Sequence, residues 1–263
     1  MKLGWAAAIC VLFALALSFR ACGADLAGAV DGFKLSPPAT AQGGSALLRR
    51  GTARMVRISR YFSMELIPDE DAAIALLDAA GRALGPRLGE VQFCDAAMGG
   101  AVIIASATYY VVGAGRERQA NCKRVFSRYA RRHPVSADAL GRARFARSHA
   151  RFGLGVHGLR LVPGRTLATD PGYIATGTAL YVPSLRGRRM DGGVLHDGYV
   201  FAADVGEGIR GDLVAWFAGL GSGAAPANSQ SSQSWSVASG PVEAHIVTDP
   251  SIVAALEHAH RLP

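Results

Sequence analysis

Two aspartates in the C-terminal half stand where a turn follows an apolar, strand-like run: Asp170 in RTLATDPGYIATGT and Asp204 in AADVGEGIRG. If both turns open on one rim of a small barrel, the two carboxyl groups meet there and can carry out acid/base work on a glycoside. Asp204 is the better placed of the two for such work. The apolar VFAA run before it and Val205 after it would desolvate its carboxyl group and raise its pKa, and a neighbouring Asp170 would push the same way. Gly206, Gly208 and Gly211 allow tight turning beside Asp204 and leave room for a sugar ring. Tyr181, Trp216 and Phe217 offer flat faces that could stack on sugars, or that simply pack the core or its rim.

The elements that must position these residues divide the chain into four stretches. Residues 25–55, rich in Gly, Pro and Ala, are expected to form an irregular lead-in. Pro68 at the entry and acidic residues in the first turn predict a short helix over Asp69–Ala80, ended by Gly81 and Gly85. AVIIASATYYVV, from Gly100 to Val112, is β-branched and aromatic and predicts one strand. Ser136 is a candidate cap for a helix running through Arg151. Beyond Gly153 the texture changes to LRLV, ALYVP, YVFAADV and LVAWFAG, separated by Pro or Gly, with no room for helices between them. That spacing suits a compact β-barrel better than a βαβ sheet. Gly221–Gly240 reads as a Ser/Gly/Ala-rich surface loop, VEAHIV as a last strand and PSIVAALEHAHRL as a terminal helix with His258 and His260 on its exposed side.

VPGRTLATDPGYIATGTALYVP, then HDGYVFAADVGEGIRG and WFAGLG, resemble the three-aspartate (3D) domain of the MltA-type lytic murein transglycosylase family, over roughly Val156–Gly221. That domain is a double-psi β-barrel related to expansin and barwin folds, and ATYY at Ala107–Tyr110 is similar to its threonine-containing early strand. The resemblance implies a mainly β fold with added helices: a six-stranded double-psi β-barrel (RlpA/barwin-like) plus an N-terminal α/β extension. The expected organisation is a signal peptide over 1–24, an N-terminal extension with a short helix over 25–99, the 3D domain over 100–221 with a basic helical insertion at 116–151, and a final loop, strand and helix over 222–263.

Members of that family cleave the bond between N-acetylmuramic acid and N-acetylglucosamine and leave a 1,6-anhydro sugar. The resemblance therefore implies a peptidoglycan lytic transglycosylase. Its catalytic acid/base falls on Asp204 and its upstream aspartate on Asp170, while its third aspartate is replaced by Ala215. Asp212, three positions earlier on the same strand, would face the other way. One carboxyl group can suffice, because the muramic acid 6-hydroxyl attacks its own C1 and proximity replaces a second enzyme group. Glu207 stands where the family has glycine, either crowding the sugar or supplying a new carboxylate. Arg210 stands where it has lysine, and Thr108 is a candidate hydrogen-bond partner for a carboxylate or a sugar. Two other readings use the same residues: an expansin-like wall-binding module without cleavage, and a water-using peptidoglycan hydrolase with Glu207 as its second carboxylate. A structural or inhibitory protein stapled by Cys94 and Cys122 would have no continuous groove.

Composition bounds the setting. Lys2 followed by the uncharged run Gly4–Phe19 has the form of a secretory signal, with cleavage expected after Ala24; Arg20 makes Cys22 a poor lipidation site. The expected location is exported and periplasmic, with outer-membrane or peripheral membrane association left open. Cys94 and Cys122 then remain, fitting one disulfide. No metal or other cofactor is expected, since the seven histidines are scattered and no CxxC pair occurs. The net charge of +8 is concentrated between Arg116 and Arg151, where eleven Lys or Arg meet only Glu117 and Asp138. Such a block is either solvated helix surface or a contact for wall polyanions. The expected partner is peptidoglycan or a related cell-wall polysaccharide; nucleic acid is disfavoured by the signal and the lack of a binding motif, and the sequence leaves the oligomeric state open.

Overall fold

The computed structural model describes residues 53–67, 72–127, 134–190, 193–206, 208–221 and 237–261. The expected signal segment with Cys22, nearly all of the expected lead-in, Glu207 and most of the expected Ser-rich loop lie outside the described residues.

The sheet is organised by β1 (Ala53–Leu66), a 14-residue strand whose ARMVRISRYFSMEL sequence alternates exposed Arg57 with buried Val56 and Ile58. Its length lets it serve three partners in turn. The first residues pair antiparallel with β11 (Val242–Ile246), the middle pairs parallel with β10 (Leu213–Gly221), and the end pairs parallel with β4 (Ala101–Ile104). β7 (Thr166–Ala168), β8 (Ala179–Tyr181) and β9 (Tyr199–Asp204) complete the order β10-β7-β9-β8-β11-β1, and the β1–β10 pairing joins its two ends into a ring of six strands.

This ring is not a barrel, and the expected six-stranded double-psi β-barrel with a separate N-terminal α/β extension is overturned. The ring belongs to a nine-stranded sheet that runs on through β4, β5 (Ala107–Ala114) and β6 (Ala143–Ser148), with β1 joining the two parts. Two of its ladders, β10–β7 and β11–β8, hold only two residue pairs each, because β7 and β8 are three residues long. ATYY, expected as an early barrel strand, lies in β5 outside the ring.

Local turn chemistry explains the other departures. In place of a helix over Asp69–Ala80, Ile74–Leu77 forms β2, paired with β3 (Ala83–Leu88). The Asp78 carboxylate accepts the N–H groups of Ala80 and Arg82 at 2.9 and 2.8 Å, and this tight turn outweighs the helical preference of the alanines. The apparent single strand of 100–112 is a hairpin of β4 and β5, turning at Ala105 and Ser106 with φ of 48° and 67°. Both turn residues are left-handed without a glycine to announce it. The helix expected through Arg151 ends early: α3 spans Pro134–Leu140 and gives way to β6, which pairs antiparallel with β5. LRLV forms no strand, and Arg160 makes only an isolated bridge to Leu154.

Two larger apolar centres and a smaller one under the C-terminal helix result. One gathers Phe93 and Cys94 of α1 (Glu90–Gly99), Val102, Ile104, Phe145 and Cys122 of α2 (Cys122–Val125). There the expected Cys94–Cys122 disulfide is present, with Cα atoms 5.4 Å apart across a separation of 28 residues. The other fills the ring with Val56, Ile58, Leu167, Leu180, Val200, Val214, Trp216 and Ala244. α4 (Pro250–His260), capped by Asp249, covers the outside of β9 with Leu256. His260 corrects the expectation of exposure. It is fully buried, its Nδ1 donating to the Leu256 carbonyl at 2.7 Å and its Nε2 3.0 Å from the Thr166 hydroxyl.

Candidate active site

The two aspartates reach one edge of the sheet because β7 and β9 run parallel. Ala168 is the register partner of Asp204, the Thr169 N–H donates to the Asp204 carbonyl at 3.0 Å, and Asp170 follows one residue later. A run of five buried residues, Tyr199–Ala203, precedes Asp204 and brings it to the end of β9 from within the core. Gly155 then closes over the strand end. A Cβ there would lie 2.3 Å from the Ala203 carbonyl oxygen and 3.2 Å from the Asp204 Cβ, so only glycine lets this backbone come so near.

The two carboxyl groups nevertheless live in opposite environments. Burial pushes the Asp204 carboxyl up to about 6, against two hydrogen bonds that favour its ionised form. These come from the Tyr61 hydroxyl to Oδ2 at 2.8 Å and from the Val205 N–H to Oδ1 at 2.9 Å. Asp170 accepts the Gly211 N–H at 2.8 Å and the Gly172 N–H at 3.0 Å, and these two bonds, with a smaller contribution from the Arg210 charge, hold it below the usual carboxylate range. Asp170 therefore pins the loop between β9 and β10, where Gly211 adopts a φ of 56°, to the turn after β7. It does not supply the push on Asp204 that adjacency suggested; the raised Asp204 pKa is a burial effect.

The remaining candidates separate. Thr108 is buried on β5, and its hydroxyl donates to the Arg151 carbonyl at 2.5 Å. Arg210 folds back on its own loop, donating to the carbonyls of Ile209 and Gly206 at 2.7 and 3.2 Å. Trp216 is a core residue, its Nε1 donating to the Gly164 carbonyl at 3.0 Å and its ring meeting His196 edge-on. Tyr181 is half-buried against Tyr199, with ring centroids 5.0 Å apart. Ala215 is buried in register with Ser59 and Ala168, and Asp212 instead forms a two-pronged exposed pair with Arg57 at 2.7 and 2.9 Å. Within the basic block, Asp138 gathers Arg118, Lys123 and Arg142, while Glu90 pairs with Arg124. Among the described residues no cluster of three or more His, Cys, Asp or Glu could hold a metal ion.

Sequence reading missed Tyr61. It lies on β1, 143 residues before Asp204, with its ring on Phe217 at 5.0 Å; Phe217 in turn meets Phe152 at 5.6 Å. The alternation of apolar and polar residues in RMVRISRY was the only local signal for that strand. Also missed was the pairing of Arg165 with Asp197, beside a buried His196 that donates to the Gly164 carbonyl and accepts the Gly198 N–H at 2.8 Å.

Residues 165–233, which include Asp170 and Asp204, match the 3D domain family, so the chain contains a 3D domain. No curated protein matches the sequence. Among solved structures, the chain is similar to E. coli MltA with bound chitohexaose, at 14% identity and a TM-score of 0.45 over 74% of this chain and 72% of that one. It is also similar to LtgG, a lytic transglycosylase of Burkholderia pseudomallei, at 18% identity and a TM-score of 0.36 over 74% and 71%. A third similar structure is a membrane-bound lytic murein transglycosylase from Agrobacterium tumefaciens, at 14% identity and a TM-score of 0.43 over 76% of each chain.

Proposed function

We propose that this protein is a peptidoglycan lytic transglycosylase of the cell envelope, cleaving the β-1,4 bond between N-acetylmuramic acid and N-acetylglucosamine with Asp204 as acid and then base. The observation that carries the reading is the setting of Asp204: a carboxyl group at the end of parallel strands, buried enough to sit near pKa 6 and hydrogen-bonded at both oxygens. The 3D-domain match over the same residues supports it. Near neutral pH such a group is populated in both protonation states, as a single acid/base requires.

Protonated Asp204 gives its proton to the glycosidic oxygen as the C1–O bond breaks and positive charge develops at C1. The muramic 6-hydroxyl of the same sugar then bonds to C1, and the Asp204 carboxylate takes the proton that this hydroxyl releases. The aspartate ends as it began, and the products are an anhydromuramyl end and a free N-acetylglucosamine hydroxyl. An attack from within the substrate replaces the second carboxylate of an ordinary glycosidase. Asp170 is unsuited to that second role, because its oxygens accept the Gly172 and Gly211 amides.

Mass analysis of products from purified peptidoglycan tests the proposal. Anhydromuramyl fragments formed by the protein and absent with Asp204→Asn are expected. Reducing-end products would assign hydrolysis instead, and retention on peptidoglycan without any product would leave only a wall-binding module.

A further inference from the structure

Asp204 has one side-chain hydrogen-bond partner among the described residues, and that partner stands 143 residues earlier in the chain. Tyr61 is held by three independent constraints. Its backbone pairs in parallel register with Phe217, its ring packs on Phe217 at 5.0 Å, and its hydroxyl points to Asp204 Oδ2 at 2.8 Å. The β1–β10 register shifts immediately after Tyr61, between Tyr61 and Ser63. Such an irregularity re-aims side chains, and it falls at the residue that reaches the carboxylate. The Ser63 hydroxyl then donates to the Phe152 carbonyl at 3.1 Å, fixing the strand beyond the shift to the loop that leads into Gly155.

We infer that Tyr61 is the positioning residue of this site: its hydroxyl fixes the Asp204 carboxyl plane and keeps its ionised form accessible, so that one group can give a proton and take one back. The inference rests on the proposed transglycosylase reading for its chemistry but not for its geometry. Two opposed effects meet at the Asp204 carboxyl group. Burial alone favours the protonated acid and would leave it slow to give up its proton in the first half of the reaction. A hydroxyl donating to Oδ2 stabilises the carboxylate and opposes that drift. Tyr61 cannot readily ionise in exchange, since burial and the Asp204 charge both raise its own pKa well above the usual phenol range. Other titratable groups lie on the elements around β9. These include Asp170, Arg210 and Asp212 on the adjoining loops, His157 on the turn at Val156–Gly158, Tyr199 on β9, Tyr181 on β8, and Glu257, His258 and His260 on α4. None of them is among the causes of the Asp204 shift.

The test compares the full-length protein with Tyr61→Phe, which keeps the ring on Phe217 and deletes only the hydroxyl. The Asp204 carboxyl is titrated by carbon NMR with labelled aspartate, assigned through Asp204→Asn. Its pKa is expected to rise by roughly one to two units, the usual weight of one hydrogen bond to a charged group. On peptidoglycan, the alkaline limb of the rate profile is expected to move up by the same interval, with kcat at the optimum down about tenfold and KM unchanged. 3-Fluorotyrosine at position 61, a stronger donor, is expected to move the titration the opposite way; this arm stands if Tyr61→Phe fails to fold. An unmoved titration in either altered protein would overturn the inference. A shifted titration in a protein that releases no anhydromuramyl product would uphold the coupling while removing the proposed reaction.

Discussion

Replacing Asp204 by asparagine is expected to make the protein more stable at neutral pH while abolishing its activity. The carboxyl titrates near 6 in the folded chain, against an ordinary value of 3.8. The folded state therefore binds more protons than the unfolded state between those values, and wild-type stability falls as pH rises through this window. Below pH 4 the stabilising contribution of the protonated acid is fully present; above pH 6 it has been lost. A shift of about two units corresponds to about 3 kcal/mol at most, and residual solvent access at a half-buried carboxyl group reduces this to about 1–2 kcal/mol. Asparagine carries no charge and can still accept from Tyr61, so it avoids the cost of ionisation. At roughly 2–4 °C per kcal/mol for a chain of this size, Asp204→Asn should melt about 2–8 °C above wild type at pH 7.5. The excess should vanish toward pH 4. His196 and His260, both lowered to about 4 by burial, contribute pH dependence of their own. The quantity to follow is thus the difference between variant and wild-type melting temperatures, in which the histidines cancel. A difference that is flat with pH, or a variant less stable than wild type at pH 7.5, would refute the claim that burial holds this carboxyl group up.

Asp170→Ala removes the acceptor of two backbone amides and should lower the melting temperature, with the Asp204 titration unchanged by carbon NMR. The two buried histidines must gain protons on acid unfolding, so stability present above pH 6.5 is lost as pH falls toward 4; His260→Gln should move the acid midpoint to lower pH in circular dichroism titrations. Cys122→Ser should cost about 3 kcal/mol in denaturant unfolding, and reducing agent should reproduce the effect in wild type alone. Trp216→Ala should cost about 3–5 kcal/mol in the same assay, a core penalty, whereas a residue that only stacked on sugar would change KM alone.

Where structure followed from local pattern, the sequence was readable. YVFAAD and LVAWFAG are uninterrupted apolar runs between turn residues, and they form β9 and β10. PSIVAALEHAH opens with Asp249 and Pro250 and forms α4. Asp204 was found because a carboxyl group after such a run at a glycine-rich turn is unusual. What escaped was long-range or depended on turns without the usual residues. Ala105 and Ser106 turn a hairpin in a stretch with no glycine, so two strands read as one. RFARS, placed in a helix, pairs with β5, where Phe145 enters the core. The ring requires β1 and β10 to pair in parallel across more than half the chain, and no local pattern encodes that register. Both the corrected architecture and Tyr61 belong to this second kind.

The pairing of β1 with β10 also sets the order in which the molecule can assemble. Arg57 meets Leu213 and Tyr61 meets Phe217, contacts that must pay the loop-closure entropy of nearly the whole intervening chain. The hairpin sheet and its disulfide use partners close in sequence and can form early. The carboxyl group and its hydroxyl donor stand 143 residues apart, on strands that meet only when such distant ladders close, so closing the ring is also what arms the site. A chain halted before β10 would be folded in part and chemically silent.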